Sequence, residues 1–218
     1  MKNKILVVNG MCCNGIMSEI GDVTNEVEEF TRNPKNFKLV LFTGGEDVTP
    51  KLYGHKSPKG LCRSSLSRDM EEMEIFSTAL LGEVLCAGIC RGFQFLNVMA
   101  GGTLIHHASN HGGSVHDVTT VYGENFEVNS LHHQIVVPTE ENSDVIAWSK
   151  NKISSYYYGD MDEKIEDPDK EVEAAVFKKI NSIGVQWHPE FLRRGSEGYN
   201  WFLEFVDSFL GNKTVTAK

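Results

Sequence analysis

The pentapeptide Gly88-Ile89-Cys90-Arg91-Gly92 sits between a short apolar run, Val84-Leu85-Cys86-Ala87, and a stretch with helical spacing. A G-x-C-x-G turn that joins a buried strand to a helix lifts one side chain above the end of a sheet. Glycines flank it because the turn leaves no room for Cβ atoms beside its apex, and the apex residue occupies sparsely populated backbone space. Downstream, Phe93, Leu96, Asn97 and Ala100 recur at helical intervals, and Gly101-Gly102 supplies the stop. Cys90 therefore stands at a helix N-terminus. There, unpaired N–H groups and the macrodipole favour a thiolate, and the N–H of Arg91 points to where an oxyanion would form.

Strand-like runs at residues 4–8, 39–43, 84–89, 172–177 and 183–187 alternate, in the first half, with helical patterns. One helical pattern is Ile20, Val23, Val27 and Phe30; another, beginning near Ser67, includes Phe76, Ala79 and Leu80. The expected fold is α/β, a largely parallel central sheet with antiparallel strands added in the second half. Tyr199, Phe202, Leu203, Val206, Phe209 and Leu210 form the apolar stripe of a closing helix that packs on the core. With 218 residues, 40% of them hydrophobic, the chain can bury roughly 70 to 75% of its unfolded surface in one domain. Residues 1–211 are expected to form it, with 212–218 a polar tail.

A nucleophile needs a base. Residues two apart in an extended segment share a face, so His188 and Glu190 in His188-Pro189-Glu190 can act together at the end of the strand 183–187. Glu190 would hold one imidazole nitrogen while the other meets the Cys90 sulfur. A lone buried cysteine or histidine is ordinarily structural. Elbow, base and orienting acid together point instead to a cysteine-nucleophile hydrolase.

These residues carry a resemblance. The stretch from Gly88 to Asn97, Gly101-Gly102-Thr103-Leu104, and Val185-Gln186-Trp187-His188-Pro189-Glu190 resemble the class I glutamine amidotransferase superfamily. Gly44-Gly45-Glu46-Asp47-Val48-Thr49-Pro50 with Tyr53-Gly54, Arg68-Asp69 with Glu72, and Asn129-Ser130-Leu131-His132-His133-Gln134 are similar to its γ-glutamyl-γ-aminobutyrate hydrolase, or C26 peptidase-like, branch. The resemblance implies a three-layer, flavodoxin-like sandwich. It also implies that Cys90 attacks a γ-glutamyl amide, His188 protonates the leaving amine and Glu190 orients His188. The backbone N–H groups of Gly45 and Arg91 would form the oxyanion hole. Gly44 and Gln94 would help seat the glutamyl group, and His132, His133 and Gln134 would meet its amino-acid end, mainly through backbone. The implied partners are a small-molecule substrate and, for a glutaminase subunit, a separate synthase that receives ammonia; a free-standing γ-glutamyl-amine hydrolase and a silent binding relative are the alternatives. No cofactor is implied. The section 1–31 departs from the branch, so the loop Cys12-Cys13-Asn14-Gly15 is expected to be specialised, a cap on the strand 4–8.

Other groupings are weighed and set aside. His106, His107, His111 and His116, with His132 and His133, offer a zinc or iron site, but no helical His-x3-His or Cys-x2-Cys spacing pins it. No metal is expected; that segment is read as a loop edging the active site. Arg68 and Glu72, four apart on a helix, read as a surface ion pair without a catalytic role. Asp160, Asp162, Glu166 and Glu171 mimic calcium-loop spacing, but Lys164 and Ile165 stand where an oxygen ligand and a turn glycine are needed. Residues 159–170 therefore read as a solvated loop. A net charge of −9 argues against binding a phosphate backbone. The apolar run 5–8 is too short for a signal peptide or membrane span. Five cysteines, an odd number, suit a reducing cytoplasm.

Overall fold

The computed structural model describes residues 3–211; the predicted tail 212–218 lies outside them. The first half runs β1 (Asn3–Val8), α1 (Asn14–Met17), β2 (Gly21–Thr24), α2 (Val27–Arg32), β3 (Leu39–Phe42), α3 (Leu66–Leu81), β4 (Leu85–Ile89) and α4 (Arg91–Met99). The second half is mostly strands: β5 (Thr103–Ile105), β6 (His107–Ala108), β7 (Gly112–Thr120), β8 (Asn125–Leu131), β9 (Ile135–Val137), β10 (Ser143–Ser149), β11 (Tyr157–Tyr158), β12 (Lys164–Ile165), β13 (Val172–Phe177) and β14 (Ser182–Val185). Helix α5 (Glu197–Leu210) follows.

The main sheet has the order β2-β1-β3-β4-β14-β13-β10-β7-β8. Its first five strands pair in parallel and the rest antiparallel, so the expected division of the sheet is met. Period-2 alternation builds two cores. Ile5, Leu39, Leu41, Ala87, Ile183 and Val185 face α1 and α5, whereas Leu6, Val40, Phe42 and Cys86 face α2, α3 and α4. Sheet and two helix layers make the α/β sandwich. Tyr199, Phe202 and Val206 of α5 are buried as its apolar stripe requires.

The pattern Ile20, Val23, Val27, Phe30 is not one helix. Val23 lies in β2, paired in parallel with Ile5, and only 27–32 is helical. The spacing fits a helix, but β-branched Val23 and Thr24 fill a sheet edge instead, and Asn25 turns the chain by donating to the Val7 carbonyl at 2.8 Å. Residues 159–170 are mostly exposed, as a solvated loop should be, but not throughout. Asp162 is fully buried and accepts hydrogen bonds from the Ser57 hydroxyl and the Lys59 N–H.

The elbow is sterically exact in its glycines. A methyl on Gly92 would run into the Phe42 carbonyl, and one on Gly88 into the backbone of Gly92 and Phe93. Both contacts are with backbone, which has little freedom to yield. Gly92→Ala should therefore lower stability by about 1–3 kcal/mol, read as a fall in the urea midpoint with unchanged m-value.

Candidate active site

The C-terminal ends of parallel strands gather ligand-binding loops in open α/β sheets. Here β3 ends at Thr43-Gly44-Gly45, β4 at Cys90, and β14 leads to His188. Cys90 has φ 51° and ψ −108°, a strained conformation for a residue with a Cβ, and it caps α4. Its N–H donates to the Val185 carbonyl at 2.8 Å, which ties the elbow to β14.

The Cys90 side chain lies close enough to the His188 ring to act on its pKa. His188 Nδ1 lies 2.8 Å from Glu190 Oε1. The three candidate residues are thus one chain of contacts, with Cys90 6% and His188 8% exposed. His188 is held from three further sides. Its N–H donates to Asn129 Oδ1 at 2.8 Å, while Asn129 Nδ2 donates to the His188 carbonyl at 2.9 Å. Its ring stacks on Phe191 with centroids 5.2 Å apart, and a methyl on Gly44 would come within 2.7 Å of its Cε1. Burial alone would lower the His188 pKa, but the hydrogen bonds to Cys90 and Glu190, and the charges of those groups, outweigh it and raise it to about 10. Both neighbours thus favour the imidazolium.

Arg68 and Glu72 do not form the surface pair that helical spacing suggests. Glu72 and Asp69 are fully buried and both engage the buried Arg91 guanidinium. Arg68 Nε meets Glu72 at 2.9 Å, and Arg68 Nη2 donates to the Gly44 carbonyl at 3.0 Å. Asn9 Nδ2, at the end of β1, donates to Glu72 at 3.1 Å. Two arginines and two acids balance in charge beneath the elbow, where α3 packs against the strand ends. Burial, and then the like charge of Arg68, push the Arg91 pKa down to about 10, while Asp69 acts to hold it up. The side chain of Arg91 is therefore structural, and its backbone N–H remains the candidate oxyanion donor. Gly45 has φ 150°, and a methyl there would collide with the Arg68 guanidinium, so the loop requires glycine.

The other expected substrate contacts divide. Gln94 and Gln134 come together: Gln94 Nε2 donates to Gln186 Oε1 at 3.3 Å and approaches the Gln134 carbonyl at 3.5 Å. His133 turns its ring to Asp47 at 3.0 Å. The His132 ring is buried against Glu173 and His111. The segment 106–116 is not a loop edge either. His106 and His111 are fully buried, and His106 meets Asp162 at 2.9 Å. Cys12 and Cys13 lie in a 3₁₀ turn after β1 rather than an open cap. Cys13 is buried next to Glu190, and burial, reinforced by the Glu190 carboxylate, pushes its thiol pKa up. Among the described residues all five cysteines are unpaired, and no helix is long and apolar enough to cross a membrane.

Comparison with known proteins bears on the family and the fold. The sequence model of the peptidase C26 family matches residues 22–120. The glutamine amidotransferase-like protein YvdE of Lactococcus lactis is 30% identical over 185 residues, 73% of this chain and 70% of its own. Protein NtpR of Enterococcus hirae is 30% identical over 195 residues, 79% of this chain and 74% of its own. Among solved structures, a glutamine amidotransferase from Thermotoga maritima shares the fold with TM-score 0.59 at 15% identity, covering 100% of this chain and 87% of that one. The chain belongs to the class I glutamine amidotransferase superfamily.

Two outcomes follow from the charges. Glu72→Gln leaves Arg91 partly uncompensated in a buried site and should cost about 3–5 kcal/mol, measured by urea unfolding. His188 has its pKa raised from 6.5 to about 10, so the stability it contributes is complete below about 6.5 and is lost as pH rises through about 10. The difference in urea midpoint between the wild type and His188→Gln should narrow over that interval.

Proposed function

We propose that this chain hydrolyses the γ-amide of glutamine through a glutamyl thioester on Cys90. The observation that carries this reading is the contact chain Cys90–His188–Glu190 at the ends of β4 and β14. The Cys90 sulfur attacks the amide carbon, and the N–H groups of Arg91 and Gly45 receive the oxyanion. His188, protonated and steadied by Glu190, gives its Nε2 proton to the departing ammonia. It then takes a proton from water, whose oxygen attacks the thioester, and glutamate leaves with the thiol restored. Gly44, Gln94 and the backbone of residues 132–134 seat the glutamyl group. A separate synthase receives the ammonia.

A second reading is favoured by the peptidase C26 match over residues 22–120: a free-standing hydrolase that releases a larger amine from a γ-glutamyl amide. The two share every chemical step and differ in the leaving group. Release of ammonia from glutamine by the purified protein, abolished in Cys90→Ala, supports the first. Turnover of γ-glutamyl amines with glutamine untouched transfers the assignment to the second, and no thioester from either class of compound defeats both.

Two variants separate the roles. Glu190→Gln should lower kcat while Cys90 is still labelled by a glutamine-like electrophile, followed by mass spectrometry, because Glu190 orients rather than reacts. Gly45→Ala keeps the N–H but displaces it through the clash with Arg68, and should reduce kcat by about 10²–10³-fold with little change in KM, the signature of a misplaced oxyanion donor.

A further inference from the structure

Beside the segment 132–134 lies a constellation that the γ-glutamyl chemistry does not use. His111 precedes β7, His116 lies in β7, His132 follows β8 and Glu173 belongs to β13. His111, His132 and Glu173 are 0%, 5% and 0% exposed, and each offers a donor atom within 4.8 Å of the other two. Glu173 Oε1 is 3.2 Å from His116 Nε2 and 3.7 Å from His132 Nε2, and the His111 and His132 rings are 4.5 Å apart.

The hydrogen-bond pattern sets the direction of the lone pairs. His132 Nδ1 lies 2.9 Å from the Gln134 carbonyl oxygen, which can only accept, so Nδ1 carries the hydrogen and Nε2 of the neutral ring carries the lone pair. His111 Nδ1 lies 2.9 Å from Ser130 Oγ, a hydroxyl that can donate to it or accept from it. His111 Nε2, His132 Nε2 and Glu173 Oε2 are all buried without a hydrogen-bond partner. Buried polar atoms are nearly always satisfied, and the His132 Nε2 lone pair, 3.7 Å from the Glu173 carboxylate, is repelled by it unless something positive lies between them. Outer-sphere bonds from the far ring nitrogen to oxygen are also how metal-bound histidines are oriented.

We propose that His111, His132 and Glu173 form a binding site for a zinc-type divalent metal ion, with His116 steadying the carboxylate. Glu171 Oε1, 3.4 Å from His111 Nε2, supplies a further oxygen on the same side. Two imidazoles with carboxylate oxygen suit zinc. Because the site is closed, the ion is structural. It clips the start of β7 and the segment 132–134 to β13, and so fixes Gln134 opposite Gln94.

The test uses chelator-stripped wild-type protein titrated with Co²⁺ and with Zn²⁺. One equivalent of Co²⁺ should give the visible bands of a four-coordinate nitrogen–oxygen site, with no thiolate charge-transfer band. Zn²⁺ should displace it and, at a hundredfold excess over Kd, raise Tm by roughly 5–10 °C. Both responses should vanish in His132→Gln and in Glu173→Gln. Absence of Co²⁺ bands together with an unchanged Tm in the stripped wild type overturns the proposal and leaves a cluster held by protons. So does a thiolate-type spectrum that persists in Glu173→Gln and disappears in Cys90→Ser. These readouts do not involve turnover, so they stand or fall apart from the proposed glutamine chemistry.

Discussion

The buried ion cluster of Arg68, Asp69, Glu72 and Arg91 is the constraint from which the site is built. Arg91 has two ends with separate duties: its guanidinium is locked to α3, and its backbone N–H is left at the elbow beside Cys90. Arg68 extends the same network to the Gly44 carbonyl and so orients the loop that presents Gly45. One anchor thus sets both backbone donors proposed for the oxyanion. Buried ion networks seldom add net stability over well-packed apolar groups of the same volume. What this one secures is the relative position of two loops from two strands.

The opposite side of the cleft is held differently. Neutral reciprocal hydrogen bonds between Asn129 and the His188 backbone fix the base, and Phe191 stacks on its ring. Glu190 completes the orientation and shares its surroundings with Cys13. Cys90 therefore stands on charge pairing, and His188 on backbone capture by β8.

Most of the parallel half of the sheet and the elbow were legible in the sequence because they rest on local signals: apolar runs, flanking glycines and helical spacing. That Cys90 would stand at the elbow and that His188 and Glu190 would share a face were legible for the same reason. What escaped was set by distant partners. Val23 fits a helical stripe as well as a strand, and only its pairing with Ile5 decides between them. Glu72 four residues after Arg68 looks like any exposed pair until Arg91, 19 residues on, is brought against it. Asp162 read as part of a solvated loop, and His106 and His111 as part of a loop edging the active site, because polar residues give no sign that they will be buried. Asn129 lay within a resembling motif, yet nothing local tied it to His188.

The position of β14 has a consequence for how the chain matures. It is the last strand of the sheet in sequence, yet it inserts between β4 and β13. Until it docks, the apolar strand that carries the thiol has one unpaired side, open to pairing with another chain. Until that docking, Cys90 has no imidazole across from it, because His188 follows 98 residues further along the chain.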